Sequence, residues 1–132
     1  MIGLDTNVVI RYLVQDDPEQ SALASGLIDE LSEEDPGFLS VVTVVEAHWV
    51  LRHAYRVSAE RCGDVIEGLL DARELRVDQA STVRAALRQS RDGLDFADAL
   101  IAQLGRVAGC EHTVTFDRQA ARSEGMQLLD RH

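Results

Sequence analysis

Four carboxylates carry the chemistry this sequence can offer: Asp5, Glu46, Asp98 and Asp117. Asp5 ends a short apolar stretch, Met1-Ile2-Gly3-Leu4, and Asp117 follows Thr113-Val114-Thr115-Phe116 directly. Glu46 falls in the expected first turn of the helix after a second apolar stretch, and Asp95 and Asp98 in the first turn of a later helix. In open parallel sheets, ligands bind beyond the carboxyl ends of the strands, and all these acids fall near strand ends or helix starts. Hard divalent cations take oxygen ligands, and Mg²⁺ commonly takes one or two carboxylates plus waters and phosphate oxygens. Two ions about 3.5–4 Å apart clamp the attacking and leaving oxygens of an in-line phosphoryl displacement. That chemistry needs carboxylates that stay ionised and aim inward.

Each acid also has a structural alternative. Thr43-x-x-Glu46 fits a capping box, with the Glu reaching back to the helix start. Asp95 suits an N-cap, Asp98 suits the first turn of the same helix, and Asp5 and Asp117 can cap the helices after them. Taken singly, each acid reads as structural ahead of catalytic. Four on one expected edge shift the balance toward a site, and periodicity leaves the two readings even.

The elements that must position these acids alternate between strand and helix patterns. Residues 1–5 form a strand candidate, followed by helical spacing over Asn7–Gln15. Asp17-Pro18 opens a helix whose stripe is Leu23, Leu27, Ile28 and Leu31, broken by Asp35-Pro36-Gly37. Phe38–Val41 is a second strand candidate, and a helix runs from Thr43 to near Val57. Ser58 caps a helix carrying Val65, Ile66, Leu69 and Leu70, then Leu75-Arg76-Val77 reads as a strand. Helical spacing resumes through Val83, Ala86 and Leu87 to about Ser90, and after Gly93 over Phe96–Val107, with Gly109 suited to its end. Strand candidates at Thr113–Phe116 and Met126–Leu129 close the chain. Strands alternating with helices imply a parallel sheet covered on both faces, an α/β sandwich.

The 132 residues suit one domain, and 45% hydrophobic content supplies a core without staples. The two cysteines, Cys62 and Cys110, have no C-x-x-C spacing, so a disulfide scaffold is excluded; both read as buried small apolar residues in a reduced setting. No apolar run approaches a membrane span, and the start MIGLDTNVVIRYL lacks the pattern of a secretory signal, so a cytoplasmic location is expected. Against 23 acidic residues stand 13 basic ones, every one Arg, for a net charge of -10. This argues against broad coating of nucleic acid, which depends on phosphate neutralisation. It leaves nucleic acid open as a substrate, because bound divalent cations supply positive charge locally.

The acids lie in Leu4-Asp5-Thr6-Asn7, Val45-Glu46-Ala47, Asp95-Phe96-Ala97-Asp98-Ala99-Leu100-Ile101-Ala102 and Thr115-Phe116-Asp117. In order and spacing, these stretches resemble the four acidic motifs of PIN-domain ribonucleases over nearly the whole chain, with the closest likeness to the VapC toxins of type II toxin–antitoxin systems. The resemblance implies one PIN domain over residues 1–132, a three-layer α/β/α sandwich with a central, mainly parallel sheet of about five strands. It also implies an endoribonuclease dependent on Mg²⁺ or Mn²⁺. Asp5, Glu46, Asp98 and Asp117 would form the acidic quartet and hold the metal, Asp5 and Asp98 most directly. Thr6, Asn7 and Thr115 would orient the carboxylates, with Asp95 beside them as ligand support or as a helix cap. Metal-activated water would attack an RNA phosphodiester and leave 5′-phosphate and 3′-hydroxyl ends. Implied partners are the RNA substrate, a VapB-like antitoxin and a second copy in a homodimer.

Two other functions stay open: a catalytically silent PIN-like binding module, and a metal-dependent phosphatase of the haloacid-dehalogenase type. The phosphatase wants a second Asp two residues after the first, where this chain has Asn7. Arg11, Arg84, Arg88, Arg118 and Arg122 are candidate phosphate contacts, although solvated surface charge explains most of them. His48 and His53 lie about 140° apart round a helix, not on one face as a zinc pair requires, and His112 and His132 have no ligand partners nearby. Trp49 and Tyr12 read as packing or dimer-contact residues ahead of base-stacking ones.

Overall fold

Four helices among the described residues begin at a side-chain cap that the sequence supplies, Asp17, Ser40, Ser58 and Asp95, and these caps help set where the strands can end. A computed structural model describes residues 1–130; His132 lies outside the described residues. The backbone divides into two compact units, Met1–Ala80 and Ser81–His132.

The first unit holds β1 (Ile2–Gly3), α1 (Thr6–Val14), α2 (Pro18–Asp29), β2 (Gly37–Leu39), α3 (Val41–His53), α4 (Ala59–Asp71) and β3 (Leu75–Val77). Its strands pair in parallel in the order β1-β2-β3, with Ile2 opposite Gly37 and Gly37 opposite Leu75. Helices fill both crossovers, as parallel pairing requires. Gly37 is the tight point of the ladder. A Cβ there would sit 2.9 Å from both Leu31 Cδ1 and Leu4 Cδ1. The core gathers Leu4, Val9, Ile10, Ile28, Leu39, Val44, Leu51, Cys62, Ile66 and Val77.

Asp17 caps α2 as expected, its carboxylate accepting from Gln20 N at 3.0 Å, with Pro18 in the first turn. The buried face of α2 differs from the expected leucine stripe. Ser21, Ala24 and Ile28 are buried, while Leu23 is exposed. Small side chains let α2 approach α1 closely, and that packing overrides the periodicity of the larger residues. α3 begins two residues earlier than expected, because Ser40 and not Thr43 is its N-cap: Ser40 Oγ accepts from Thr43 N at 3.1 Å.

The second unit holds α5 (Ala80–Arg91, which starts at the boundary), α6 (Phe96–Val107), β4 (Thr113–Thr115), a 3-10 turn (Ala120–Arg122) and β5 (Met126–Leu128). β4 and β5 pair in parallel, Thr113 opposite Met126. Gly93 (φ 109°) and Gly109 (φ 99°) take the left-handed backbone before and after α6. Among the described residues there are five strands, the number expected of a central sheet, and each pairs in parallel within its own ladder. They form ladders of three and two, the longest of three residues, and β1 offers only two residues for pairing. Among the described residues, no helix is long and apolar enough to cross a membrane.

Candidate functional site

Asp5 follows β1 and occupies the N-cap position of α1. Its carbonyl accepts the first helical bonds, from Val8 N at 3.1 Å and Val9 N at 3.2 Å. Its carboxylate makes no capping hydrogen bond and is exposed. The capping role is therefore left to the backbone, and the charge is spare. The next residue, Thr6, is buried, and its Oγ1 donates to Glu46 Oε1 at 3.0 Å.

Glu46 lies in the second turn of α3, not the first, because the helix starts at Val41. The capping box expected of Thr43 and Glu46 does not form. Thr43 Oγ1 instead accepts from Ser40 Oγ at 3.3 Å and reaches Leu4 O at 3.5 Å, joining the start of α3 to the residue before Asp5. Sequence reading missed this positioning role of Thr43. The only local signal for it, a hydroxyl near a helix start, was already accounted for by capping. Asn7 is exposed in the first turn of α1.

In the second unit, Asp95 is the N-cap of α6 and its Oδ2 accepts from Asp98 N at 3.3 Å. The capping alternative is realised at this residue. Asp98 is half-buried, and its carboxyl is held above the usual carboxylate range, by burial first and then by the charges of Asp95 and Asp117. Asp117 also caps, its Oδ1 accepting from Gln119 N at 2.9 Å and Ala120 N at 3.1 Å. Thr115 Oγ1 accepts from Asp117 N at 3.0 Å, so Thr115 shapes the backbone that carries the carboxylate and leaves the carboxylate itself alone.

The structure therefore brings Glu46 to Thr6 in the first unit, and Asp95, Asp98 and Asp117 within electrostatic reach of one another in the second. Among the described residues, no three His, Cys, Asp or Glu groups are gathered closely enough to hold a metal ion. Asp95 and Asp117 each direct one oxygen at backbone amides. The donor set is nonetheless all oxygen and all anionic, which suits a hard divalent cation. The charges acting on Asp98 are those of other carboxylates.

Several secondary expectations are revised. Arg11 is committed to neighbours in its own unit, donating to Asp16 Oδ1 at 2.9 Å, Gln20 Oε1 at 2.9 Å and Tyr55 Oη at 3.0 Å, so it is not a spare phosphate contact. Cys62 is buried as expected, and burial pushes its thiol up, but Cys110 is exposed. Cys110 and His112 line a cavity of about 280 Å³ with Arg106 and Glu124, apart from the candidate acids. Trp49 does not pack into the core: it is 59% exposed.

Parallel strands joined through helices, with acids following strands or opening helices, define an α/β class suited to hard cations and the phosphates they bind. A family model of the PIN domain matches residues 2–125, and the chain belongs to the PIN-domain family. A search of curated proteins finds no match. The family fold is a three-layer α/β/α sandwich, with which the helices and the small parallel ladders of the described residues agree. PIN domains are in general nucleases, hydrolases that act on RNA or other nucleic acid with divalent metal ions.

Proposed function

We propose that residues 1–132 act as a single PIN domain, a metal-dependent endoribonuclease that is the toxin of a VapBC-type pair in the cytoplasm. The observation that carries this reading is Asp98, half-buried with Asp95 and Asp117 as the charges acting on it. Such an arrangement is costly without a cation and suited to one. Asp5, Glu46, Asp98 and Asp117 are the carboxylates that would hold Mg²⁺ or Mn²⁺. When bound, the cation supplies positive charge against the scissile phosphate.

The residues of the chain have separate parts in this scheme. Asp5 and Asp98 would present their carboxylates to the cation. Thr6 occupies Glu46 Oε1, which leaves Oε2 to take a proton from the attacking water. Asp117 keeps Oδ1 on the backbone of the following turn and has Oδ2 for the site. Arg88, Arg118 and Arg122 remain the candidate phosphate contacts. Water attack leaves the RNA 2′-hydroxyl unused, so the products carry 5′-phosphate and 3′-hydroxyl ends. A VapB-like antitoxin would neutralise the toxin by placing Arg or Lys among the acids, and the toxin would act as a homodimer.

End-mapped cleavage of total cellular RNA by antitoxin-free protein tests the reading, run with Mg²⁺, with Mn²⁺ and with EDTA, beside Asp98→Asn. Discrete cuts that need metal and vanish in the variant are expected. Products ending in 2′,3′-cyclic phosphate would contradict the mechanism. Absence of cutting under every condition would overturn the reading in favour of the silent module.

A further inference from the structure

The exposed face of α3 carries Val42, Glu46, Trp49 and His53, spaced four, three and four residues apart and so aligned in one stripe. The opposite face, Thr43, Val44, Ala47 and Leu51, is buried. Trp49 is 59% exposed and Val42 66%, an unusual display of apolar surface one turn either side of a candidate catalytic acid. Trp49 is also held in place. Its ring stacks on that of His53 with centroids 4.5 Å apart and planes at 22°, and His53 Nδ1 is 2.9 Å from Trp49 O.

We infer that the Trp49–His53 pair is a platform on which one unpaired base of a single-stranded RNA stacks, positioning the strand beside Glu46. This rests on the ribonuclease reading and names the feature of the substrate that the site grips. The two rings stack, and Trp49 stays largely exposed, so a third layer can add to the pair, and any base can supply it because every base has a π-face. The charge of the chain favours such a contact. With a net charge of -10 and no Lys, broad phosphate neutralisation is weak, and stacking adds affinity that does not depend on charge. A protein partner on this stripe would have to bring a cation for Glu46 as well as an apolar face, whereas a base needs only the exposed ring. A base covers Trp49 and leaves Glu46 in water.

Trp49 is the chain's one tryptophan, so its fluorescence reports on this site alone. The test titrates full-length Asp98→Asn, which does not cut, with single-stranded oligoribonucleotides, with a duplex of the same sequence, and with an abasic ribose-phosphate oligomer. Saturable quenching by the single strand only is expected. Trp49→Ala should weaken single-strand binding, measured with a labelled strand, by about tenfold or more, and Trp49→Phe should restore much of it. Equal quenching by the abasic oligomer, or unchanged binding in Trp49→Ala, would overturn the platform. So would an emission shift that follows protein concentration without RNA, since a second copy would then cover Trp49. The ribonuclease reading fails separately, through absence of cleavage by the wild-type chain with metal.

Discussion

Thr6 Oγ1 donates a 3.0 Å hydrogen bond to Glu46 Oε1 across 40 residues of sequence. The bond fixes a mid-helix carboxylate from the residue that follows Asp5, tying the carboxyl end of β1 to the exposed face of α3. Thr6→Val keeps the shape of the buried side chain and removes the donor. Residues that orient ligands in this way are typically worth about 10–100-fold in metal affinity or activity. Cleavage rate and metal titration should both fall in Thr6→Val and return in Thr6→Ser. An unchanged rate in Thr6→Val would leave the bond as packing only.

The same helix separates capping from chemistry. Ser40 caps α3, so Ser40→Ala should lower unfolding free energy by about 1 kcal/mol, read by denaturant titration. Glu46→Gln should do the reverse of what a capping box requires. It leaves stability within about 0.5 kcal/mol, as for an exposed side chain, while removing cleavage. A large stability loss in Glu46→Gln would return it to a structural role.

The helix around Asp98 was legible because every signal there is local: Asp95 as cap, apolar spacing through Leu104, and Gly109 past the end. Asp17-Pro18 was legible for the same reason. The face of α2 was not, because Leu23 keeps step with Leu27 and Leu31, while contact with α1 selects Ser21, Ala24 and Ile28. The start of α3 slipped because two hydroxyls, Ser40 and Thr43, both fit a cap and only the backbone path decides between them. The four acids stood out by residue type and position. Their hydrogen-bond partners did not, since the Thr6–Glu46 contact has no local signature.

Acid pH should expose a second network in the first unit. The Tyr55 hydroxyl donates to Asp16 Oδ2 at 2.8 Å, and this bond above all, with help from the Arg11 charge, holds the Asp16 carboxyl below its usual range. A depressed carboxylate contributes stability above the unfolded value near 3.8, and that contribution is lost as pH falls through the lower folded value. Tyr55→Phe should therefore flatten the acid limb of the stability profile below about pH 4, as followed by circular dichroism. A limb as steep as that of wild type would show that other carboxylates control it.

Asp98 should behave in the opposite sense. Its carboxyl is raised, by burial first and then by Asp95 and Asp117, so the folded chain holds this proton more tightly than the unfolded chain. Stability contributed by the protonated form is then present below the unfolded value and lost as pH rises through the raised one. Without metal, Asp98→Asn should melt above wild type at neutral pH, and the difference should close under acid conditions. With Mg²⁺ or Mn²⁺ the order should reverse. A ligand at a hundred times its dissociation constant stabilises by about 2.7 kcal/mol, and that gain should be confined to the chain that binds it. Melting curves at two pH values, with and without metal, separate the outcomes. An Asp98→Asn chain that is less stable without metal, or that gains as much from metal as wild type, would show that Asp98 is a helix-start residue and not a ligand.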